Sequence, residues 1–253
     1  MKRYPTINLN DSIKLIHGDC LDEMKDIPSG SVDMVMADPP YGISRDSGIS
    51  NSKLDKYKSI SLQFGEWDNK GLDLDIIASN CHRILRDGGV VVLFYDIWAS
   101  GSVLSSFNKF KQPRIIRWDK TNPVPLNSKL NFLSNATEYA FSFVKKSKPV
   151  FNSEYNNGVI RLPICHGKER TIHPTQKPVA LMEYLIKTYT NEGETVLDFT
   201  FGSLTTGVAC ANLNRNMIGI EKDSKYFNLG VNRLKEHIKC QNLKIELVID
   251  MAD

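Results

Sequence analysis

The sequence has no Cys-x-x-Cys pair, no long apolar run and no large excess of charge of either sign. Each lack excludes something. Cys20, Cys81, Cys165, Cys210 and Cys240 are odd in number and scattered, so neither a disulfide framework nor a zinc ribbon is written here, and they read as reduced thiols in a cytoplasm. The strongest apolar run, Val90 to Tyr95, is far shorter than the roughly 20 residues of a membrane span. Met1 to Asp11 lacks the apolar core of a secretory signal, and no membrane segment is expected. Lys plus Arg of 32 against Asp plus Glu of 29 leaves only +3, too little by itself to announce a polyanionic partner. With 16 Gly and 11 Pro among 253 residues, 41% apolar and 24% charged, the chain is neither collagenous nor disordered and should bury a core. The length suits one α/β domain with insertions, 1–253, better than two independent domains.

What is present reads as alternating strands and helices. Ile13 to His17 and Val32 to Ala37 are short strands, each followed by a carboxylate, Asp19 and Asp38. Residues 42–70 are polar with little periodicity and are expected to form a mobile loop insertion. From Leu72, apolar positions at helical spacing predict a helix closed by Asp87-Gly88-Gly89 before the strand Val90 to Tyr95. A weaker helix near Trp98 to Phe110 precedes strands at Arg114 to Trp118 and Thr137 to Val144, joined by a Pro- and Asn-rich loop. Then follow a helix through Val179 to Tyr189, strand Thr195 to Asp198, helix Thr205 to Asn212, strand Met217 to Glu221, helix Ser224 to Lys239 and a last strand, Lys244 to Ile249. The helix-Gly-strand order marks parallel α/β units. Between Pro113 and Lys148 seven basic residues face two acidic ones; this stretch is either a phosphate-facing surface or a solvated strand pair.

Two constellations carry chemistry. Val196 to Gly207 is strand, glycine turn and helix start, which sets backbone N–H groups beside a ligand. Glu221 ends the next strand, where an acid accepts both hydroxyls of a ribose, so a nucleoside-bearing cofactor is inferred, an ordinary βα turn being the alternative for this motif alone. A dinucleotide fingerprint needs a second glycine where Leu204 stands, and a Cβ there blocks close approach to a pyrophosphate. S-adenosylmethionine has ribose and adenine but no phosphate and is less affected. A backbone needing positive φ at position 204 would resist Leu.

Asp38-Pro39-Pro40-Tyr41 directly after an apolar strand is more specific. Two prolines remove two donors and stiffen the chain, so the turn presents acceptors, the Asp38 carboxylate and the Pro39 carbonyl, beside the Tyr41 ring. Such a corner suits an aromatic amine held by its N–H bonds while its ring stacks.

Asp38 to Tyr41, the Asp198 to Gly207 turn and His173-Pro174-Thr175-Gln176-Lys177-Pro178 together resemble the amino-group DNA methyltransferases that use S-adenosylmethionine. His17 to Leu21 and Arg117 to Pro123 support the likeness, which covers most of residues 13 to 235. The motif order resembles the permuted beta class. That resemblance implies an α/β, permuted Rossmann-like methyltransferase fold: a mostly parallel seven-stranded sheet with helices on both faces and small inserted DNA-recognition loops. Its first two strands would be Thr195 to Asp198 and Met217 to Glu221, followed in space by Ile13 to His17, Val32 to Ala37 and Val90 to Tyr95.

The resemblance also implies roles. Asp38, Pro39, Pro40 and Tyr41 would be catalytic, acting on an extruded base by direct transfer. Asp198, Phe199 and Gly202, with Thr200 and Ser203 in the same turn, would line the methionine side of S-adenosylmethionine. Glu221, with Lys222, would take the ribose, Asp19 and Cys20 would border the cofactor adenine, and His173, Thr175 and Lys177 would close the methionine end. No metal is expected, because neither His166 nor His173 has an acid or Cys at ligand spacing. All five cysteines follow residues other than proline, which argues against a cysteine nucleophile and carbon-5 cytosine chemistry. Residues 119–172 are the candidate target-recognition region, with Asn122, Asn127, Asn131 and Asn135 able to read adenine edges or simply to make turns. In the 42–70 loop, Lys53, Lys56 and Lys58 around Tyr57 either track a DNA backbone or are solvated. The partner is DNA. A homodimer and a cognate restriction endonuclease fit the family, but no residue encodes either. Site-specific N6-adenine methylation is the expectation; N4-cytosine methylation or a catalytically weak DNA-binding relative are the alternatives.

Overall fold

The structure, a computed structural model, describes residues 6–10, 12–41, 72–123, 136–154, 156–241 and 248–250. In chain order its elements are β1 (Thr6–Asn10), β2 (Ile13–His17), α1 (Cys20–Glu23), β3 (Val32–Ala37), α2 (Leu74–Ile84), β4 (Leu85–Phe94), α3 (Ser100–Ser106) and β5 (Lys111–Lys120). β6 (Thr137–Val144), β7 (Val159–Leu162), α4 (Val179–Tyr189), β8 (Thr195–Asp198), α5 (Thr205–Asn212), β9 (Asn216–Glu221), α6 (Ser224–Cys240) and β10 (Val248–Asp250) follow. The 42–70 loop and Asn127, Asn131 and Asn135 lie outside the described residues. Among the described residues no helix is long and apolar enough to cross a membrane.

All these strands join one sheet in the order β10-β1-β2-β9-β8-β3-β4-β6-β5-β7. Its centre, β2-β9-β8-β3-β4, is parallel. The sheet thus has ten described strands where seven were expected. The additions sit at its edges. β1 (Thr-Ile-Asn-Leu-Asn) is short with two asparagines, and β7 has four residues after a glycine, so neither shows the β-rich run that marks a strand in sequence. The last strand, expected at Lys244 to Ile249, is described at Val248–Asp250.

The spatial order of the central strands also differs from the expectation. Ile13 to His17 does lie beside β9, but Val32 to Ala37 pairs with β8 and not with Ile13 to His17. The chain therefore leaves β8 towards β9 in one direction and β3 towards β4 in the other. A crevice opens at the carboxyl ends where such connections diverge. At the opposite edge, Arg86 bridges Asp33 and Glu194, and Asp33 Oδ2 accepts the Thr195 N–H at 2.8 Å, tying β3, β4 and β8 together away from the crevice.

Two further boundaries move. α2 stops at Ile84, and Asp87-Gly88-Gly89 is a bulge inside β4 where the register with β3 shifts after Val32–Leu85. The weak helix after β4 shrinks to α3 with one preceding 3-10 turn.

Helices cover both faces because the central strands are apolar on both. Met34 and Met36 of β3, with Val90, Val92 and Phe94 of β4, pack with Leu181, Leu185, Val208, Val231 and Leu234 on one face. Val35, Ala37, Val91 and Leu93 pack with Met24, Ile77, Cys81, Val103 and Phe107 on the other. Three of the helices, α1, α2 and α6, begin on acids placed for it: Asp19, Asp73 and Asp223 accept backbone N–H groups of the first turn, a cap worth about 1 kcal/mol.

Leu204 holds the conformation its side chain was expected to resist. It caps α5 at φ 58° and ψ 37°, fully buried, at a backbone cost of about 1–2 kcal/mol. Burial of an isobutyl group returns about 1.5–3 kcal/mol, and two glycines make that burial geometrically available. A Cβ on Gly207 would meet Leu204 Cγ at 2.8 Å, and one on Gly230 of α6 would meet Leu204 Cβ at 2.8 Å. The Leu204 side chain thus points into the core between α5 and α6, and its Cβ does not obstruct the ligand side of the turn. Gly230→Ala should therefore lower stability by about 1–3 kcal/mol in urea unfolding. Gly101→Ala in α3, where a Cβ meets open space, should raise it by up to about 1 kcal/mol.

Candidate active site

The five parallel strands each deliver an acid to the same edge: Asp19 after β2, Asp38 after β3, Asp96 after β4, Asp198 at the end of β8 and Glu221 at the end of β9. Asp38 and Asp198 flank the crevice where the connections diverge.

The Asp38 corner is held from two sides. Tyr41 Oη donates to Asp38 Oδ1 at 2.5 Å, and its ring lies 5.1 Å from that of Tyr95. Lys177 Nζ donates to Asp38 Oδ2 and lies 3.1 Å from Glu138 Oε2. The ammonium also lies 5.2 Å from the centre of the Phe94 ring, a favourable cation–π position. Lys177 is only 5% exposed, and its pKa is raised: burial opposes the charge, but Asp38 and Glu138 outweigh burial. Glu138 stays below the usual carboxylate range because Lys177 and Lys120 together overcome its desolvation. For Asp38 burial prevails over the ion pair and its pKa rises. Burial and the neighbouring Asp38 push the Tyr41 hydroxyl well up, so it stays a donor.

The glycine turn forms the other half. Asp198 accepts the Thr206 hydroxyl at 2.6 Å and the Thr200 N–H at 3.1 Å, yet burial lifts its carboxyl to about 7. Thr200 Oγ1 is buried with no hydrogen-bond partner among the described residues. A buried acid without a cation, next to a hydroxyl without a partner, fits a ligand that brings both a positive charge and an acceptor. Glu221 Oε2 accepts the Gly202 N–H and Oε1 the Asp223 N–H, both at 2.8 Å. Gly202 sits at φ +50°, and a Cβ there would meet His173 Nε2 at 2.7 Å, so glycine alone admits both the turn and the ring. His173 packs edge-on against Tyr226, 4.5 Å between centroids. Burial, with Lys177 and Arg233 near, drops its pKa to about 4, which leaves it neutral at pH 7.

A family model described as DNA methylase, covering N6 and N4 methyltransferases, matches residues 32–232. The chain belongs to this DNA methylase family. It is 31% identical to the Type II methyltransferase M.HinfI of Haemophilus influenzae, over 95% of this chain and 73% of that protein. It is 32% identical to the Type II methyltransferase M2.MboI of Moraxella bovis, over 93% of each. The crystal structure of an M1.HpyAVI–SAM complex superposes with a TM-score of 0.68 at 33% identity, covering 88% of this chain and 98% of that one. The cytosine-N4-specific PvuII DNA methyltransferase shares the fold at a TM-score of 0.70 and 16% identity, over 92% of this chain and 93% of that one. The protein is a DNA methyltransferase, and S-adenosylmethionine is its cofactor.

Within the methyltransferase the expected site residues divide. Asp38, Pro39, Pro40 and Tyr41 stand together at the corner, and Asp198, Thr200, Gly202, Glu221 and His173 at the turn. Lys177 belongs to the Asp38 half, where the motif alone had set it at the methionine end. Phe199 is 1% exposed, its side chain in the same core cluster as Ile16, Cys20 and Val35. Ser203 is buried under Arg233, whose Nη1 takes its carbonyl at 2.9 Å. Thr175 is half-buried on the His173 segment. Asp19 caps α1 and pairs with the exposed Lys222 at 2.9 Å, and Cys20 is buried beside it.

The basic stretch is partly committed: Lys145 donates to the Leu85 carbonyl at 2.6 Å, Arg117 pairs with Asp119 and Lys120 with Glu138. Asn122 Oδ1 accepts the Ile164 N–H at 2.7 Å, so it fastens the 119–172 segment to itself. Sequence reasoning missed Glu138, Thr206 and Tyr95. The only signal for Glu138 was a lone acid at the head of an otherwise apolar strand.

Replacing Lys177 by Met would strand two largely buried carboxylates. Without the ammonium both folded pKa values rise above their unfolded ones, so the folded state favours the protonated forms, and stability is lost as pH rises through the folded values. Lys177→Met should cost about 3–5 kcal/mol at pH 8, with a smaller deficit at pH 5, read from urea midpoints at the two pH values.

Proposed function

We propose that the protein methylates the N6 amino group of adenine at a specific site in DNA, with the base extruded from the helix and the methyl passed directly. The observation that carries this reading is the Asp38-Pro39-Pro40-Tyr41 corner standing at the crevice across from Asp198 and Glu221. Bound S-adenosylmethionine supplies a methyl on a sulfonium, whose C–S electron pair stays with sulfur as the methyl leaves. The Asp38 carboxylate and the Pro39 carbonyl accept the two amine N–H bonds, which turns the nitrogen lone pair out of the ring towards the methyl. Tyr41, its hydroxyl fixed on Asp38 and its ring against Tyr95, is the stacking surface for the base. Once the N–C bond forms, the nitrogen is cationic and strongly acidic, so Asp38 acts mainly through charge and orientation. His173 is neutral at pH 7 and adds no positive charge to that centre.

On the cofactor side, Asp198 and Thr200 would hold the charged amino-acid end, Gly202 and His173 would shape its seat, and Glu221 would accept the ribose hydroxyls. Asp19 and Cys20 stand beyond Glu221, where an adenine would lie. Residues 119–172, including β7, are assigned to target recognition. The cytoplasm, where all five free cysteines stay reduced, is the place of action. A cognate restriction endonuclease fits the Type II names of the relatives.

Asp38→Ala should cut transfer of labelled methyl to DNA by about 10²-fold or more while leaving S-adenosylmethionine binding measurable by calorimetry. Wild-type activity in that variant contradicts the reading. A second expectation concerns pH. A bound cation favours ionised Asp198, so affinity for S-adenosylmethionine should rise from pH 6 to pH 8, through the carboxyl's value of about 7. In Asp198→Asn this dependence should flatten and the affinity fall.

A further inference from the structure

Both oxygens of Asp38 are already taken by donors of the chain itself. Tyr41 holds Oδ1 and Lys177 holds Oδ2. An incoming amine needs one of these positions, so one donor must yield. Tyr41 is fixed at the corner by its place in the chain, whereas Lys177 Nζ has a second carboxylate within reach, Glu138 Oε2 at 3.1 Å. Lys177 is too buried for water to receive its charge, and among the described residues Asp38 and Glu138 are the carboxylates within ion-pair distance of it. Glu138 is itself held, its Oε1 on Lys120 Nζ at 2.7 Å, and Lys120 lies 5.4 Å from the Trp118 ring centre.

We propose that Glu138 is a positioning residue for methyl transfer: it takes over the Lys177 ammonium when the target amine replaces that ammonium on Asp38 Oδ2. The inference rests on the assignment of Asp38 made above. Its charge balance favours the reaction. Asp38 and Glu138 are balanced by Lys177 and Lys120, so moving Lys177 onto Glu138 keeps the cluster neutral while it frees the Asp38 charge to face a nitrogen that becomes cationic. Glu138 also stands near the start of β6, within the 119–172 region.

The test uses the full chain, whole-genome-amplified DNA, which carries every site unmethylated, and labelled S-adenosylmethionine. Glu138→Gln should lower the rate at saturating DNA and cofactor by about ten-fold or more, with the cofactor dissociation constant changed by less than about two-fold. It should also move the acid limb of the pH–rate profile to lower pH. The groups facing Asp38 are Glu138 of β6, Lys177 before α4, Tyr41 beside it, Asp198 at the end of β8 and Asp96 behind Tyr41. Only the charge of Glu138 changes in this variant, and losing a nearby negative charge lets Asp38 ionise more easily. Glu138→Asp, which keeps the charge, should restore the limb. Lys120→Met, which takes a positive charge away from the cluster around Asp38 and so disfavours its ionised form, should move it to higher pH, and it answers the question even if Glu138→Gln does not fold. An unchanged rate in Glu138→Gln, a rate loss with a fixed limb, or a fixed limb in Lys120→Met overturns the proposal. Asp38→Ala run alongside separates the failures. Activity in that variant removes the assignment of Asp38 and this inference with it, whereas an inactive Asp38→Ala beside a normal Glu138→Gln removes the inference alone.

Discussion

Desolvation of carboxylates is the constraint around which this molecule is arranged. Five adjacent parallel strands end in acids at one edge, and buried acids repel one another and resist ionising. Asp96 accepts the Trp98 N–H, and the other four are settled each in its own way. Asp19 is relieved by Lys222 and a helix N-terminus, Glu221 by two backbone N–H groups, and Asp38 by an ammonium shared with Glu138. Asp198 alone among the deeply buried ones has only a hydroxyl and an amide. The acid least compensated by the protein is the one best placed to meet a cationic ligand.

The rest of the fold serves that edge. The Arg86–Asp33–Glu194 cluster locks the far ends of β3, β4 and β8, so the near ends are left to diverge. Leu204 keeps the cofactor turn tight by lodging its side chain between two helices instead of towards the ligand. Rigidity is thus supplied from behind the site, and the surfaces facing the crevice stay free for chemistry.

The central strands, the long helices and the acids that follow the strands were legible because apolar runs bounded by glycine and a trailing carboxylate are local signals. Partnerships were not. Lys177 lies 139 positions from Asp38, and a motif names a residue type without naming what it touches. The left-handed Leu204 contradicts a sound local rule, and its compensation comes from Gly207 and Gly230 on separate helices. Strands β1 and β7 were missed because their side chains carry little apolar pattern; their neighbours in the sheet decide their conformation. The turn's general shape likewise does not say which side chains face inward, as that of Phe199 does.

The edge strand β10 is hydrogen-bonded to its neighbour β1, Thr6 opposite Asp250. A short turn could therefore splice one to the other while the chain is opened at some surface loop, and every ladder in the sheet would survive. The crevice between β3 and β8 lies in the middle of the sheet, so its two walls would keep their neighbours under such a rearrangement.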